Sequence, residues 1–234
     1  MMGKVLKAEY FRLKKICLWI PIISAGILVL FSSMEWYFYF RKQHGDFAIF
    51  NAVYIFISIN LLLCVSLLAS IVAETEHQAQ GWKLLFATSV SRVNLFLGKV
   101  IWVCLLMLVS CFLIIIGMIL VWLCFTNEPF PLEFFLKQVL SCYIACLPVL
   151  AIQLVISIRS SNQAIPLGIG VVGAISSLFI PRISVNLVPF IPWAYPAIAT
   201  PFSEDYLIWL GLSLVVGILL VCAGTISFAK MELK

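Results

Sequence analysis

Charged residues are scarce in this sequence. Of its 234 residues, 15 are Lys or Arg and 10 are Asp or Glu, so only 11% carry a charge, while 64% are hydrophobic. The mean hydropathy is +1.15. A soluble domain needs a more polar surface than this, and the long uninterrupted apolar runs are unlike the alternating strands of a membrane β-barrel. The composition therefore predicts an all-α, polytopic membrane protein.

Catalytic motifs are missing as well. The sequence has no GxxxxGK[ST] loop, no HExxH and no GxSxG, so we do not expect this chain to bind ATP or to carry a catalytic residue. Its two histidines, His44 and His77, fall on opposite sides of the membrane in the topology below, which argues against a shared metal. The cores of the predicted spans contain no charge, which disfavours a proton-coupled transporter and an intramembrane protease. We expect no metal and no cofactor in this chain.

Disulfide and zinc frameworks are disfavoured in the same way. There is no CxxC pair, and all eight cysteines lie within or at the ends of apolar runs: Cys17, Cys64, Cys104, Cys111, Cys124, Cys142, Cys146 and Cys222. We interpret them as small apolar packing residues.

Six apolar runs are present, and a helix needs roughly 20 residues to cross the hydrocarbon core of a membrane. They cover residues 16–33, 47–73, 100–125, 134–158, 164–180 and 206–228. A tight turn at 159–163 separates the fourth from the fifth. The fifth run is short and rich in Gly, Ala and Ser, which permit close helix packing in lipid. The sequence predicts a single transmembrane domain with six spans.

Basic residues set the predicted orientation. With the N-terminus inside, inner segments carry eleven of the 15 Lys and Arg residues and outer segments four, so both termini are predicted to be cytoplasmic. Residues 1–15 contain five of the basic residues. Met2, Leu6, Tyr10 and Leu13 can share one helical face, which predicts an amphipathic helix on the inner leaflet; a basic retention signal without defined structure is the alternative. A cleaved signal peptide is disfavoured.

The last outer segment, residues 181–205, combines five prolines with many apolar and aromatic residues. Prolines at this frequency prevent a continuous helix, and aromatic rings favour the membrane interface. We expect short broken helices that re-enter the outer interface. An apolar loop anchored by Trp193 is the alternative.

Several mildly polar residues lie within the predicted spans. Asn51, Asn60 and Gln153, with Trp193 and Tyr195 of the outer segment, are candidates for lining a substrate path. For the span residues, an interhelical hydrogen bond is the alternative and the favoured interpretation, since such side chains commonly join helices in membranes.

The inner segment between the second and third spans has a short helical pattern. Trp82, Leu85 and Phe86 fall at i, i+3 and i+4, and Ser89 or Val90 continues the stripe, while Lys83 leaves the other side polar. A cytoplasmic helix of this kind suits docking of a soluble partner.

This region also carries a family resemblance. It reads Glu74-x-Glu76, then Gln80-Gly81-Trp82-Lys83-Leu84-Leu85, then Ser89-Val90-Ser91-Arg92, with Gly98-Lys99 opening the third span. Together with the six-span layout, it resembles the ABC-2 family of ABC-transporter permeases, most closely the lantibiotic-immunity and antimicrobial-peptide-resistance permeases of Gram-positive bacteria. Ser89 stands where many members have proline, which bears on the end of the helix.

The resemblance implies that residues 76–92 form a coupling helix seated in a cleft of a separate ATPase subunit. Trp82, Leu85 and Phe86 would be its buried anchors, and Lys83 and Arg92 would contact acidic groups at the cleft's rim or lipid phosphates. Gln80 belongs to the same set. Glu74 and Glu76 would bridge to basic residues of the N-terminal segment or of the ATPase, or remain solvated at a helix end.

The resemblance further implies a permease subunit of an exporter in the bacterial plasma membrane. ATP and Mg²⁺ would be bound by the partner ATPase, and a second permease, either an identical copy or a paralogue, would complete the pathway. The other expected partners are membrane lipid and an amphipathic or peptide substrate, and nucleic acid is not expected. Antimicrobial-peptide immunity is the preferred role, by clearance from the outer leaflet or by export from the cytoplasm. A non-transporting sensor or scaffold is the alternative, and a membrane-embedded hydrolase ranks third.

Overall fold

The computed structural model describes residues 2–40, 42, 45–78, 91–183 and 185–231. Apart from short helical pieces near residue 190, the described chain is built from nine α-helices. These are α1 (Met2–Arg12), α2 (Lys15–Glu35), α3 (Gly45–Gln78), α4 (Arg92–Phe125), α5 (Leu132–Ala145), α6 (Leu147–Arg159), α7 (Ala164–Ile183), α8 (Tyr195–Ile198) and α9 (Tyr206–Ala229). A π-helical turn, Trp36–Phe40, extends α2.

Local sequence explains where several helices begin. The Ser91 side chain accepts a hydrogen bond from the Asn94 backbone N–H at 3.3 Å and so caps α4. The predicted fourth span, residues 134–158, lies within one candidate span, Leu132–Arg159, which is built from two helices, α5 and α6, that meet at Cys146. Pro148 causes the break, because proline has no N–H to donate and its ring is incompatible with an uninterrupted helix, while it fits the first turn of α6.

Five stretches of the described chain are long and apolar enough to cross a membrane, and six were predicted. They are Lys15–Tyr39, Phe56–Gln78, Arg92–Phe125, Leu132–Arg159 and Tyr206–Ala229. The remaining predicted span is helical in α7, but its apolar part, Ala164–Ile180, is shorter. Seventeen residues of helix reach about 26 Å, less than the roughly 30 Å of a typical hydrocarbon core.

Helix α3 forms the centre of the bundle. Among the five candidate spans it has the largest buried share and α9 the smallest. Ile57, Leu61, Leu68 and other residues of α3 are completely buried, whereas large apolar side chains on α2, α4 and α9 are exposed. Exposed apolar faces of this kind are compatible with lipid contact, because lipid tails are as apolar as leucine.

Helix α1 packs along the start of α4. Val5 and Glu9, which are i and i+4, are its buried residues. The stripe predicted from Met2, Leu6 and Tyr10 to lie on the inner leaflet is separate from this buried pair, and Tyr10 is 47% exposed. The buried pair includes Glu9, whose ionic partner on another helix cannot be seen in the hydrophobic pattern of one helix. The position of α1 on a membrane surface stays a prediction.

The proline-rich outer segment consists of short helices, as its prolines predict. Two 3₁₀ turns, Val185–Phe190 and Pro192–Ala194, precede α8. They form a small core of their own, in which Val188, Ala194 and Ala199 are fully buried. The Tyr54 hydroxyl of α3 donates to the Ala197 carbonyl at 3.0 Å and so fastens this segment to the central helix. Its depth in the membrane stays a prediction.

Candidate functional site: an ionic cluster beside the predicted coupling segment

The predicted coupling helix falls largely on residues that the structure does not describe. Gln80, Trp82, Lys83, Leu85 and Phe86 all lie outside the described residues. Its predicted ends do not belong to a separate helix. Residues 76–78 continue α3, and Arg92 is the first residue of α4. The coupling segment is therefore at most residues 79–91, and its two flanks are the ends of the two longest helices.

A buried ionic cluster joins these two flanks to α1. The Lys99 Nζ of α4 donates to the Glu9 Oε2 of α1 and to the Glu76 Oε1 of α3, each at 3.0 Å. Lys99 is 1% exposed, Glu9 3% and Glu76 4%. Removing ions from water is costly unless they are paired and hydrogen-bonded. One ammonium donates to both carboxylates and brings three separate helices to one point, while the second carboxylate oxygen of Glu9, Oε1, is buried without a hydrogen-bond partner among the described residues.

A second layer of charge surrounds the cluster. The Arg12 guanidinium lies 3.7 Å from Glu76 Oε1 and 4.0 Å from Glu9 Oε1. With Arg12 included, two positive charges face two negative ones, so the group is neutral overall. Nearby, Lys14 Nζ lies 3.6 Å from Glu74 Oε2 and donates to Gln78 Oε1 at 3.1 Å. These pairs are half-exposed, so water weakens them relative to the buried contacts.

The two glutamates of the resemblance thus contact the N-terminal segment, which is one of the alternatives the sequence left open. Glu76 meets Arg12, and Glu74 meets Lys14. Contact with an ATPase stays a prediction for both. Glu9 and Lys99 were not among the site residues predicted from the sequence.

Close packing supports the ionic contacts. At Gly98 a Cβ atom would lie 3.3 Å from Val5 and 3.4 Å from Glu9, so the absent side chain leaves room for α1 against α4. The Trp102 indole N–H donates to the Leu6 carbonyl at 2.9 Å. Helix α1 is therefore held to α4 by packing, by a hydrogen bond and by charge.

Lys99, which was predicted to open the third span, lies well inside a helix. Helix α4 begins at Arg92, so Lys99 is two turns from its start. It is also 26 residues from Phe125 at the far end, about 39 Å along the axis, which exceeds the roughly 30 Å of the hydrocarbon core. The cluster is therefore expected near the membrane boundary and not at its centre.

Arg92 joins α4 to the last helix. Its Nη1 donates to the carbonyl oxygens of Ala229 at 3.1 Å and Met231 at 2.7 Å. An arginine in this position satisfies carbonyls that the end of α9 leaves without a helical partner. The predicted contact of Arg92 with an ATPase or with lipid stays a prediction.

The predicted substrate-path residues on α3 make hydrogen bonds within the protein. The Asn60 amide accepts from the Ser24 hydroxyl at 2.6 Å and donates to the Ser24 carbonyl at 2.8 Å, which joins α3 to α2. Asn51 donates to the Phe47 carbonyl of its own helix at 3.0 Å. Asn60 thus forms the interhelical bond that was the favoured interpretation, and a substrate role for either residue stays a prediction.

Gln153 is completely buried and joins α6 to α7. With its amide oriented to satisfy both groups, its nitrogen donates to the Pro166 carbonyl at 3.2 Å and its oxygen accepts from the Gly170 N–H at 3.1 Å. A Cβ at Gly170 would overlap the Ser66 side chain of α3. Gly170 therefore lies directly against α3, and Gln153 contacts α7 at the same point.

The two aromatic candidates of the outer segment differ in their surroundings. Tyr195 is 1% exposed, and its hydroxyl donates to the Pro189 carbonyl at 2.7 Å. Burial raises the pKa of this phenol. Trp193 lies against Gly173 of α7, whose missing side chain makes room for the indole ring. A substrate path through these residues stays a prediction.

The comparison with known proteins agrees with this architecture. A family model described as "ABC-2 family transporter protein" matches residues 5–177, about three quarters of the chain. The match includes α1 from Val5 onward, both flanks of the predicted coupling segment and Lys99. No curated protein matches the sequence. The family implies a multi-pass membrane subunit that works with an ABC ATPase. The chain belongs to the ABC-2 family of transporter proteins and is a permease subunit of an ABC exporter.

Proposed function

We propose that this permease clears or exports an antimicrobial peptide or a similar amphipathic substrate, and that a separate ATPase subunit drives it through the segment at residues 79–91. ATP hydrolysis and the bound Mg²⁺ belong to that subunit. A second permease, identical or paralogous, completes the pathway.

The main observation that supports coupling through residues 79–91 is the buried ionic cluster around Lys99. Glu76 lies two residues before the end of α3, and Lys99 lies seven residues after the start of α4. Their 3.0 Å contact connects the two flanks of the segment. Glu9 adds α1 to the same point. An ATPase that moves the segment would therefore move α1, α3 and α4 together, and not one helix end alone.

The distribution of buried charge supports an amphipathic substrate. Within the part of the chain that the structure describes, the buried charged residues are Glu9, Glu76 and Lys99, all at one end of the bundle. Ion and proton pathways normally need ionisable groups at membrane depth. The interior instead offers apolar surface and uncharged polar groups.

The experiment is affinity purification through a tag at the predicted cytoplasmic C-terminus. Wild type is compared with Trp82→Ala/Phe86→Ala, which removes the predicted anchors. Trp19→Ala/Phe31→Ala is the matched control, because these aromatic residues of α2 are 59% and 50% exposed on a predicted lipid-facing surface. All three proteins are checked for folding by size-exclusion chromatography in detergent.

We expect an ABC ATPase to co-purify with the wild type and the control and to be lost from the Trp82/Phe86 variant. Loss of this partner with an intact permease supports the coupling segment. If no ATPase co-purifies with intact wild type, the transporter assignment for this subunit fails, and the sensor or scaffold alternative takes its place.

A further inference from the structure

A groove of about 440 Å³ lies at the end of the molecule opposite the ionic cluster. Its walls come from the start of α5 and the turn before α9, with Pro131, Glu133, Phe134, Lys137, Pro201 and Tyr206 among the lining residues. Phe50 of α3 lies beside this region, and it is 26 residues from Glu76, about 39 Å along the helix axis. In the predicted orientation the groove faces outward.

Of the aromatic side chains in this region, Phe134 and Tyr206 line the groove, and Phe134 connects it to a neighbouring aromatic cluster. Phe134 lies 4.8 Å from Phe202 between ring centroids, and Phe202 lies 4.5 Å from Phe50. Phe47 extends the cluster, with its ring centroid 6.2 Å from that of Phe202. Phe202 is 47% exposed and Phe47 54%, so the cluster is open to the outside. Aromatic rings in partly open pockets provide large contact area for a ligand's apolar side chains.

Acidic residues lie at the edge of the groove. Glu133 lines it, and Glu204 and Asp205 are exposed immediately before the lining residue Tyr206. Lys137 is the one cation among the described lining residues, and its Nζ lies 2.7 Å from the Glu133 carboxylate. Three acidic residues and one lysine are therefore exposed in and beside the groove, and Glu133 is the acidic residue that lines it. The predicted outer segments as a whole contain six acidic and four basic residues in a chain whose net charge is +5.

We propose that this groove is the outer binding site for a cationic amphipathic peptide. Lysine or arginine side chains of the peptide pair with Glu133, Glu204 and Asp205, and its aromatic or aliphatic side chains pack on Phe134 and Phe202. Its volume accommodates a few side chains, as in typical ligand clefts. The inference rests on the proposed function and deepens it, because it names where the substrate is first bound and by which chemistry.

The test uses the full-length permease, together with its ATPase where one co-purifies, reconstituted in nanodiscs of zwitterionic lipid, which limits binding of peptide to the membrane by charge. The probe is a fluorescent synthetic peptide in which lysines alternate with phenylalanines and leucines. A second peptide carries glutamate in place of every lysine. Binding is measured by fluorescence anisotropy at low and at high salt.

The variants have opposite expected effects. Glu133→Gln/Glu204→Gln/Asp205→Asn removes the acidic edge and weakens binding of the cationic peptide by about five- to tenfold, as expected for several exposed charge pairs. Lys137→Gln removes the repelling cation and frees Glu133, so binding tightens by about two- to threefold. Phe202→Ala weakens binding at both salt concentrations, since the lost contact is apolar. General damage to the fold would not tighten binding in one variant and weaken it in another.

Equal binding by wild type and the triple variant overturns the proposal, and so does equal binding of the glutamate peptide. Weaker binding by Lys137→Gln overturns it as well. The two proposals fail separately. If the ATPase co-purifies and drives peptide movement while removal of the acidic edge has no effect on peptide binding, the proposed binding site in the groove is refuted and the transporter function stands. If the peptide binds as expected but intact permease recruits no ATPase, the site stands and the transporter function fails.

Discussion

Lys99→Met should destabilise the permease strongly. Methionine preserves most of the side-chain length but removes the ammonium that contacts Glu9 and Glu76, which are 3% and 4% exposed. Arg12, at 3.7 and 4.0 Å, is then their nearest ionic partner of those described. Removing one partner from a buried ion pair costs about 3–5 kcal/mol. For a chain of this size, each kcal/mol shifts the melting temperature by about 2–4 °C, so we expect a decrease of about 6–20 °C.

The exposed pair Glu133–Lys137 provides a matched control. Its nitrogen–oxygen distance is 2.7 Å, shorter than either contact of Lys99, but its side chains are 85% and 53% exposed. If burial and not distance determines the effect, Glu133→Gln should leave the melting temperature unchanged, because water solvates both ions after the pair is broken.

Melting is measured by heating samples in detergent and recording the remaining monodisperse peak by fluorescence-detected size-exclusion chromatography. The rescue variant Lys99→Met/Glu9→Gln/Glu76→Gln removes the unpaired charges and should recover part of the loss. A decrease for Lys99→Met no larger than that for Glu133→Gln would refute the reasoning from burial. A triple variant less stable than Lys99→Met would show that the unpaired carboxylates are not the source of the loss.

Two further predictions concern packing. Gly170→Ala should destabilise the fold by about 1–3 kcal/mol, because its Cβ would overlap the Ser66 side chain and overpacking carries such a penalty. Adding Ser66→Gly should restore much of this stability. Gly168→Ala is the control and should be neutral in the same melting assay, because nothing lies within 4 Å of its Cβ position. Tyr54→Phe should destabilise the fold by about 1 kcal/mol, because it removes the hydrogen bond to the Ala197 carbonyl, and it should increase backbone hydrogen exchange in α8. Unchanged hydrogen exchange in α8 would show that this hydrogen bond does not hold the outer segment.

The sequence predicts most of the helices because in lipid the backbone must satisfy its own hydrogen bonds, so long apolar runs become helices. The predicted run 100–125 corresponds to the membrane part of α4, which begins earlier, at Arg92. The helix starts early because Ser91 caps it. Its first two turns mix apolar residues with Arg92, Asn94 and Lys99, so they are helical without belonging to an uninterrupted apolar run. Hydropathy alone therefore places the end of a span near the membrane boundary and not at the end of the helix.

The ionic cluster could not be predicted in the same way. Glu9 and Lys99 are 90 residues apart in sequence, and their contact depends on how α1 packs against α4. A pattern within one helix contains no information about that packing. Gly98, next to Lys99, is the one local signal, because a small residue permits close approach of another helix. The contact of Glu76 with the basic N-terminal segment is one of the alternatives predicted from the sequence, because both are predicted to lie on the inner side of the membrane.

Helix α3 connects the two sites. It runs without interruption from Gly45 to Gln78, 34 residues, which corresponds to about 50 Å. At one end Glu76 is fixed to Lys99, and at the other Tyr54 is bonded to the outer segment and Phe50 packs against Phe202. If the proposed ATPase stroke displaces the segment after Gln78, this continuous helix offers a direct route for the displacement to the proposed groove. We therefore expect α3, more than the peripheral α9, to transmit the stroke to the opposite end of the bundle.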